Sequence, residues 1–256
     1  MSCRGRCPVQ IYRGVLELLD YVFYATVERG KVYETGAFIH NYALTYALGL
    51  GRGETYTYAR LTQEPHYVEE LTPLNGRLYL TPAAPQRVAH RLMQWNTIRE
   101  GYAFPGKEPS MGYPDWGFAR VLRPGCCFVC YLLVSDPSTL PDAPALHDLI
   151  AGRTARVRLG KFPGKARLQA QQADKVMTRE GPFQTTAMLN WRDLETDPQV
   201  CDVVAASLPT RLLSRAHFAE GPYYEARFGQ DIVHLPVRMR FLARPPETRR
   251  RARRRR

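Results

Sequence analysis

Cations recur at two-residue spacing in the second half of the chain. Arg156 and Arg158 alternate with Val157 and Leu159, and Lys165 and Arg167 alternate with Ala166 and Leu168. The turn between these runs, residues 160–164, carries Lys161 and Phe162. A period of two marks a half-buried strand, so the segment reads as a hairpin with one face in the core. The other face is then lined with cations about 7 Å apart. That is close to the phosphate repeat of an extended single strand, and Phe162 at the tip can stack on a base. A cationic sheet face that is merely solvated fits the same pattern, so both readings stay open at this point.

A second group of polar side chains lies near residue 40. Phe38, Ile39, Tyr42, Ala43, Tyr46 and Ala47 recur at helical spacing, which predicts an amphipathic helix over residues 36–48. Thr35 is expected to cap it and Gly49 to end it. The first turn, with His40 and Asn41, would then offer unpaired N–H groups to an anionic partner. An ordinary core helix with tyrosines at its edge is the alternative. His40, Tyr42 and Lys161 also supply a base, an acid and a cation, the minimum for a metal-free endoribonuclease. Their spacing does not require that chemistry, and a structural histidine is preferred.

Other chemistries are excluded by what the motifs lack. No Walker loop, dinucleotide glycine fingerprint or nucleophile elbow occurs, and the six histidines form no His-x-x-x-His pair. The six cysteines are Cys3, Cys7, Cys126, Cys127, Cys130 and Cys201. Cys3 and Cys7 have no nearby histidine to complete a zinc site, and the three central ones fall in an apolar run. Free thiols in a reducing compartment are expected, with no structural metal and no cofactor.

The positioning elements can be read in outline. Residues 9–18 form a first strand in which Gly14 suggests a bulge. Residues 78–81 make a short strand stopped by Pro82 and Pro85, and residues 86–98 fit a helix or a strand. Residues 101–117 hold four glycines, three prolines and four aromatics, a long loop of the kind that carries function. Residues 126–135 read as a buried strand, 146–151 as a short helix, 200–213 as a helical start, and 232–242 as a strand near a sheet edge. Many strands, few helices and no regular βα repeat predict an α+β fold on antiparallel sheet.

The 256 residues can bury a substantial core. No apolar run spans a membrane and no signal peptide opens the chain, which places it in the cytoplasm. The formal net charge is +12, and the last ten residues, with seven arginines and one glutamate, hold half of it. The body is therefore basic without the tail, and a polyanion such as nucleic acid is the natural partner. The tail itself reads as a sequence-blind phosphate clamp or a solvated end.

Several stretches resemble a known family. Leu-Asp-Tyr-Val-Phe-Tyr-Ala-Thr at 19–26 and Val-Tyr-Glu-Thr-Gly-Ala-Phe-Ile-His-Asn-Tyr-Ala-Leu-Thr-Tyr-Ala-Leu-Gly at 32–49 are similar to the N-terminal signature of the type I-D CRISPR-associated handle-capping subunit. This is the Cas five-type RAMP component of that Cascade. Leu-Thr-Pro-Leu-Asn at 71–75, Tyr-Leu-Thr-Pro-Ala at 79–83 and Arg-Leu-Gly-Lys-Phe-Pro-Gly-Lys-Ala at 158–166 resemble later family stretches in the same order. The resemblance implies an RRM-like (ferredoxin-like) RAMP core over residues 1–243 and an inserted arm or thumb near 99–120; the Arg-rich tail from 244 to 256, expected to be disordered, and the Cys-rich start are not part of that pattern. It implies a prokaryotic, non-catalytic subunit that binds the 5′ handle of CRISPR RNA beside the backbone RAMP subunits and the large subunit, where contact with target DNA near the protospacer is open. His40, Asn41, Arg156, Arg158, Lys161, Phe162, Lys165 and Arg167 are the expected RNA contacts. An endoribonuclease that processes repeat RNA without a metal is the alternative, and a general nucleic-acid coat held by the tail is a third.

Overall fold

The computed structural model describes residues 9–24, 26–29, 32–51, 66–97, 115–161, 164–205 and 209–245. Strands dominate, with three short α-helices among the described residues. The first half runs through β1 (Gln10–Leu18), β2 (Val27–Arg29), β3 (Val32–Glu34), α1 (Asn41–Ala47) and α2 (Tyr67–Leu71). It continues with β4 (Leu78–Leu80), β5 (Ala84–Arg87), β6 (His90–Thr97), β7 (Asp115–Leu122) and β8 (Cys127–Val134). The second half begins with α3 (Pro144–Ile150), β9 (Ala155–Leu159), β10 (Gly164–Gln172) and β11 (Lys175–Glu180). It ends with β12 (Phe183–Gln184), β13 (Leu189–Asn190), β14 (Val200–Ala205), β15 (Leu212–Phe218), β16 (Pro222–Phe228) and β17 (Asp231–Pro236). No helix among these residues is long and apolar enough to cross a membrane.

The largest sheet has the order β4-β8-β1-β10-β9, with β5 also paired to β8, and all its pairs are antiparallel. β1 lies at the centre of this sheet, and its residues alternate in burial from Tyr12 to Leu18. Tyr12, Leu16 and Leu18 point to one face and are buried, while Arg13, Val15 and Glu17 point to the other. Each leucine so buried contributes about 1.5–3 kcal/mol. α1 and α3 cover the buried face, contacting β4, β9 and β10. The far end of the opposite face is closed by the β16–β17 hairpin. There Arg13 pairs with Asp231 at 2.8 Å and lies over the Phe228 ring, which also packs on Tyr131.

The strand pairing of β1 is regular through Gly14, so no bulge forms there. The glycine is needed for space instead. A Cβ at this position would sit 2.9 Å from Cys130 Sγ and 3.2 Å from Leu168 Cδ1.

Three further corrections follow from tertiary pairing. The helix expected over 36–48 begins only at Asn41, because Ile39 is drawn into an antiparallel bridge with Ala83. Its cap is His40 rather than Thr35, and Gly49 does adopt the left-handed conformation after its end. Residues 200–205, expected to start a helix, are strand β14, whose ladder partner β15 supplies the hydrogen bonds a helix would have made internally. The apolar run at 127–134 is buried on alternate residues over its first half rather than throughout.

Within the stretch 86–98, expected as a helix or a strand, residues 86–87 end β5 and residues 90–97 form β6, which pairs antiparallel with β7, and β7 also pairs in parallel with β3. Most of the arm expected near 99–120, residues 99–114, lies outside the described residues.

Candidate nucleic-acid interface

The hairpin β9–β10 turns its alternate residues as the sequence predicts. Ala155, Val157, Leu159, Ala166 and Leu168 are buried, while Arg156, Arg158, Lys165 and Arg167 are exposed. The register sets Arg158 opposite Lys165 and Arg156 opposite Arg167. Arg167 is partly neutralised by Glu17 on β1, which accepts hydrogen bonds from its Nε at 2.8 Å and Nη2 at 2.6 Å. Arg156, Arg158 and Lys165 make no ion pair among the described residues. Three cations therefore stand free on one face of an edge hairpin.

Lys161 is exposed at the turn, where its N–H donates to the Phe23 carbonyl at 2.8 Å. The neighbouring segment approaches so closely that a Cβ at Gly164 would meet the Tyr21 carbonyl oxygen at 2.5 Å. The hairpin is thus held from its own turn as well as from its ladder. Phe162 lies outside the described residues.

His40 and Asn41 stand elsewhere than expected. Asn41 is fully buried and His40 is 7% exposed, so neither offers a surface to RNA. The reason is a directed chain of hydrogen bonds. His40 Nδ1 accepts from the Tyr42 N–H at 3.2 Å, which leaves the proton on Nε2, 2.8 Å from Thr210 Oγ1. Thr210 Oγ1 donates to Asn190 Oδ1 at 2.7 Å, and Asn190 Nδ2 donates to Asn41 Oδ1 at 3.1 Å. Asn41 Nδ2 closes the chain on Asp193 Oδ2 at 2.7 Å. Asp193 also accepts from the Tyr42 hydroxyl at 2.7 Å, the Tyr79 hydroxyl at 3.0 Å and the Leu242 N–H at 2.9 Å. Nothing in the local sequence around Asp193 announces this hub, because its partners come from three separate segments.

Burial sets the protonation of the group. It drives the His40 pKa down to about 3 and pushes the Asp193 carboxyl up to about 6, the donated hydrogen bonds pulling the latter back. Tyr42 is raised far above the ordinary phenol value by burial and by the Asp193 charge. His40, Tyr42 and Lys161 line one cleft. In that cleft both ring nitrogens of His40 and the hydroxyl of Tyr42 are already engaged by protein groups. Tyr24, Phe38 and Tyr67 add aromatic walls to the cleft, whose volume is about 300 Å³.

The last described segment is fastened to the same hub. Arg244 lies over the Trp191 ring at 4.5 Å and donates from Nη1 to Asp197 Oδ1 at 2.5 Å, and its own carbonyl accepts from Arg192 Nε at 3.2 Å. Arg244 therefore belongs to the folded body rather than to the tail expected from that position.

Comparison with known families now has a defined body to match. The profile of the type I-D CRISPR-associated protein Cas5/Csc1 family covers residues 9–244, from the start of the described body to the arginine on Trp191. The chain belongs to this family. It is thus a Cas5/Csc1 member of a CRISPR effector system. The family's matched span contains both the cationic hairpin and the buried hub, and leaves out the Arg-rich tail. A search of curated proteins finds no match. Among solved structures, a chain of "Cryo-EM structure of the Type III-B Cmr-beta bound to cognate target RNA and AMPPnP, state 1" is 14% identical, with 87% of this chain and 86% of that chain covered and a TM-score of 0.43. A CRISPR protein from Archaeoglobus fulgidus is 10% identical, with 89% and 99% covered and a TM-score of 0.38.

Proposed function

We propose that this Cas5/Csc1 protein binds the 5′ handle of CRISPR RNA without cleaving it, and caps the backbone filament of a type I-D Cascade next to the large subunit. The observation that carries the reading is the free cationic row on β9–β10, where Arg156, Arg158 and Lys165 face outward at strand spacing. Such a row neutralises successive phosphates of an extended strand without reading its bases. Lys161 extends it around the turn. The order β1-α1-β4-β8-α3-β10 supports an RRM-like core in which β9 doubles the last strand, the elements between are insertions, and β11–β17 follow as a C-terminal extension. The engaged His40 and Tyr42 support binding over repeat processing.

Coexpression of the tagged chain with its neighbouring subunits and a CRISPR array tests this. Recovery of a multi-subunit complex with RNA of uniform length, the handle end protected, is the expected outcome. Heterogeneous nucleic acid without partner proteins, lost in moderate salt, would refute it. In the same assay Arg158→Glu with Lys161→Glu should lower RNA affinity at least tenfold. Unchanged affinity would remove the hairpin from the interface.

A further inference from the structure

Arg244 fixes the point at which the last arginines leave the body. Its N–H donates to the Arg192 carbonyl at 3.0 Å, its Nε to the Leu194 carbonyl at 2.6 Å and its Nη1 to Asp197 Oδ1 at 2.5 Å. The guanidinium lies over the Trp191 ring, as does that of Arg211. Arg240, whose N–H donates to the Asp193 carbonyl, pairs with Glu195. Arg192, Arg211, Arg240 and Arg244 therefore surround this exit, against the carboxylates of Glu195, Asp197 and the buried Asp193. Asn190, next to Trp191, holds Asn41 at the start of α1, so the exit lies on the α1 side of the largest sheet. Arg156, Arg158 and Lys165 project from the opposite side. The chain thus carries two cationic groups rather than one row.

Their charge densities differ as well. Seven of the eight residues from Arg249 to Arg256 are arginines, about one cation per 3.4 Å of chain. The β9–β10 face offers one per about 7 Å, the repeat of an extended single strand. A nucleic-acid duplex carries a phosphate about every 3.4 Å along each strand. Residues 247–256 supply about 35 Å of chain, the length of one duplex turn. We propose that the arginines beyond Arg244 hold the phosphate backbone of a nucleic-acid duplex on the α1 side, while β9–β10 keeps its single strand. The site lies past the span 9–244 that the family profile matches, so it belongs to this chain rather than to the family pattern. It is independent of the handle reading, since Arg158→Glu with no effect on RNA would remove that reading and leave this one standing.

Fluorescence anisotropy of the full-length protein tests the duplex site. The probes are a DNA duplex of about two turns, an RNA duplex of the same length, and the single strands of each. Each is titrated against the wild type and against a variant with Arg249→Gln, Arg250→Gln, Arg251→Gln and the same change at residues 253–256. The wild type should bind duplex about tenfold more tightly than its single strands, and the variant should lose that preference. The slope of log affinity against log salt for duplex should fall by about 4–6 in the variant, at about 0.9 per phosphate released. With handle RNA already saturating the protein, the duplex should still bind, one per chain, and leave the RNA in place. The more tightly held of the two duplexes names the source of the phosphates. Wild-type duplex affinity in the glutamine variant would show that these arginines hold nothing. Equal affinity for duplex and single strand would overturn the duplex assignment, and expulsion of the RNA by duplex would show that both follow one path.

Discussion

Asn41 and Asp193 lie 152 residues apart in the chain and are joined by a hydrogen bond of 2.7 Å in the fully buried interior. The bond links the start of α1 to the segment on which the C-terminal residues close. Because Asn41 Oδ1 also accepts from Asn190, the amide cannot rotate without losing both partners.

Asn41→Ala should therefore cost about 3 kcal/mol, since it leaves buried Asp193 short of a donor and Asn190 short of an acceptor. Asp193→Asn should cost less than Asp193→Ala, because the amide keeps the shape and one acceptor. Urea unfolding of the three variants measures this, and equal midpoints would show that the hub is dispensable.

Acid should act on the two ends of the network in opposite directions. His40, lowered to about 3, is held neutral in the fold while the unfolded chain takes up a proton near 6.5. Its stabilisation is present above that value and is lost as pH falls, by about 2 kcal/mol between pH 7 and 5. Asp193, raised to about 6, works the other way: its contribution is full below about 3.8 and is lost as pH rises through 6. Between pH 7 and 5 it returns about 1 kcal/mol. Wild-type protein should lose stability on acidification, and His40→Gln should reverse the sign of the slope. Thermal melts from pH 7 to pH 5 decide it.

Gly14→Ala should destabilise by about 1–3 kcal/mol, because the added methyl would lie 2.9 Å from Cys130 Sγ in a packed sheet. Cys130→Ala in the same chain should recover part of that loss. A double-mutant cycle by chemical denaturation tests the coupling, and strict additivity would place the strain elsewhere.

RNA binding should depend on salt through the hairpin. Replacing Arg158 and Lys165 with glutamine should lower the slope of log affinity against log salt by about 1.4, at about 0.7 per single-strand phosphate released. Fluorescence anisotropy over a salt series gives the slope. An unaltered slope would mean that neither side chain meets a phosphate.

What the sequence disclosed was whatever depends on near neighbours. The period-two alternation of Arg156, Arg158, Lys165 and Arg167 is a local signal, and the hairpin formed with that facing. The start of α1 was not legible, because the bridge from Ile39 to Ala83 overrides a helical pattern that continues through it. Val200 to Ala205 were misread for the same reason: their ladder partner lies beyond a turn that the local pattern does not describe. Asp193, Asn190 and Thr210 were missed entirely, since a buried polar cluster leaves no periodicity. His40 and Asn41 stood out as polar residues on an apolar helix, and that signal marked the hub rather than a surface.

The register of the hairpin has one more effect. Arg158 faces Lys165, and Arg156 faces Arg167, directly across the ladder. Like charges so placed repel and weaken a strand pair, and here the pair lies at a sheet edge. The ladder is therefore weakened at these two pairs, and a polyanion laid along it would remove the repulsion. Subunit and RNA would then mature together, each chain completing the other, so that a vacant subunit is the softer and more readily degraded form.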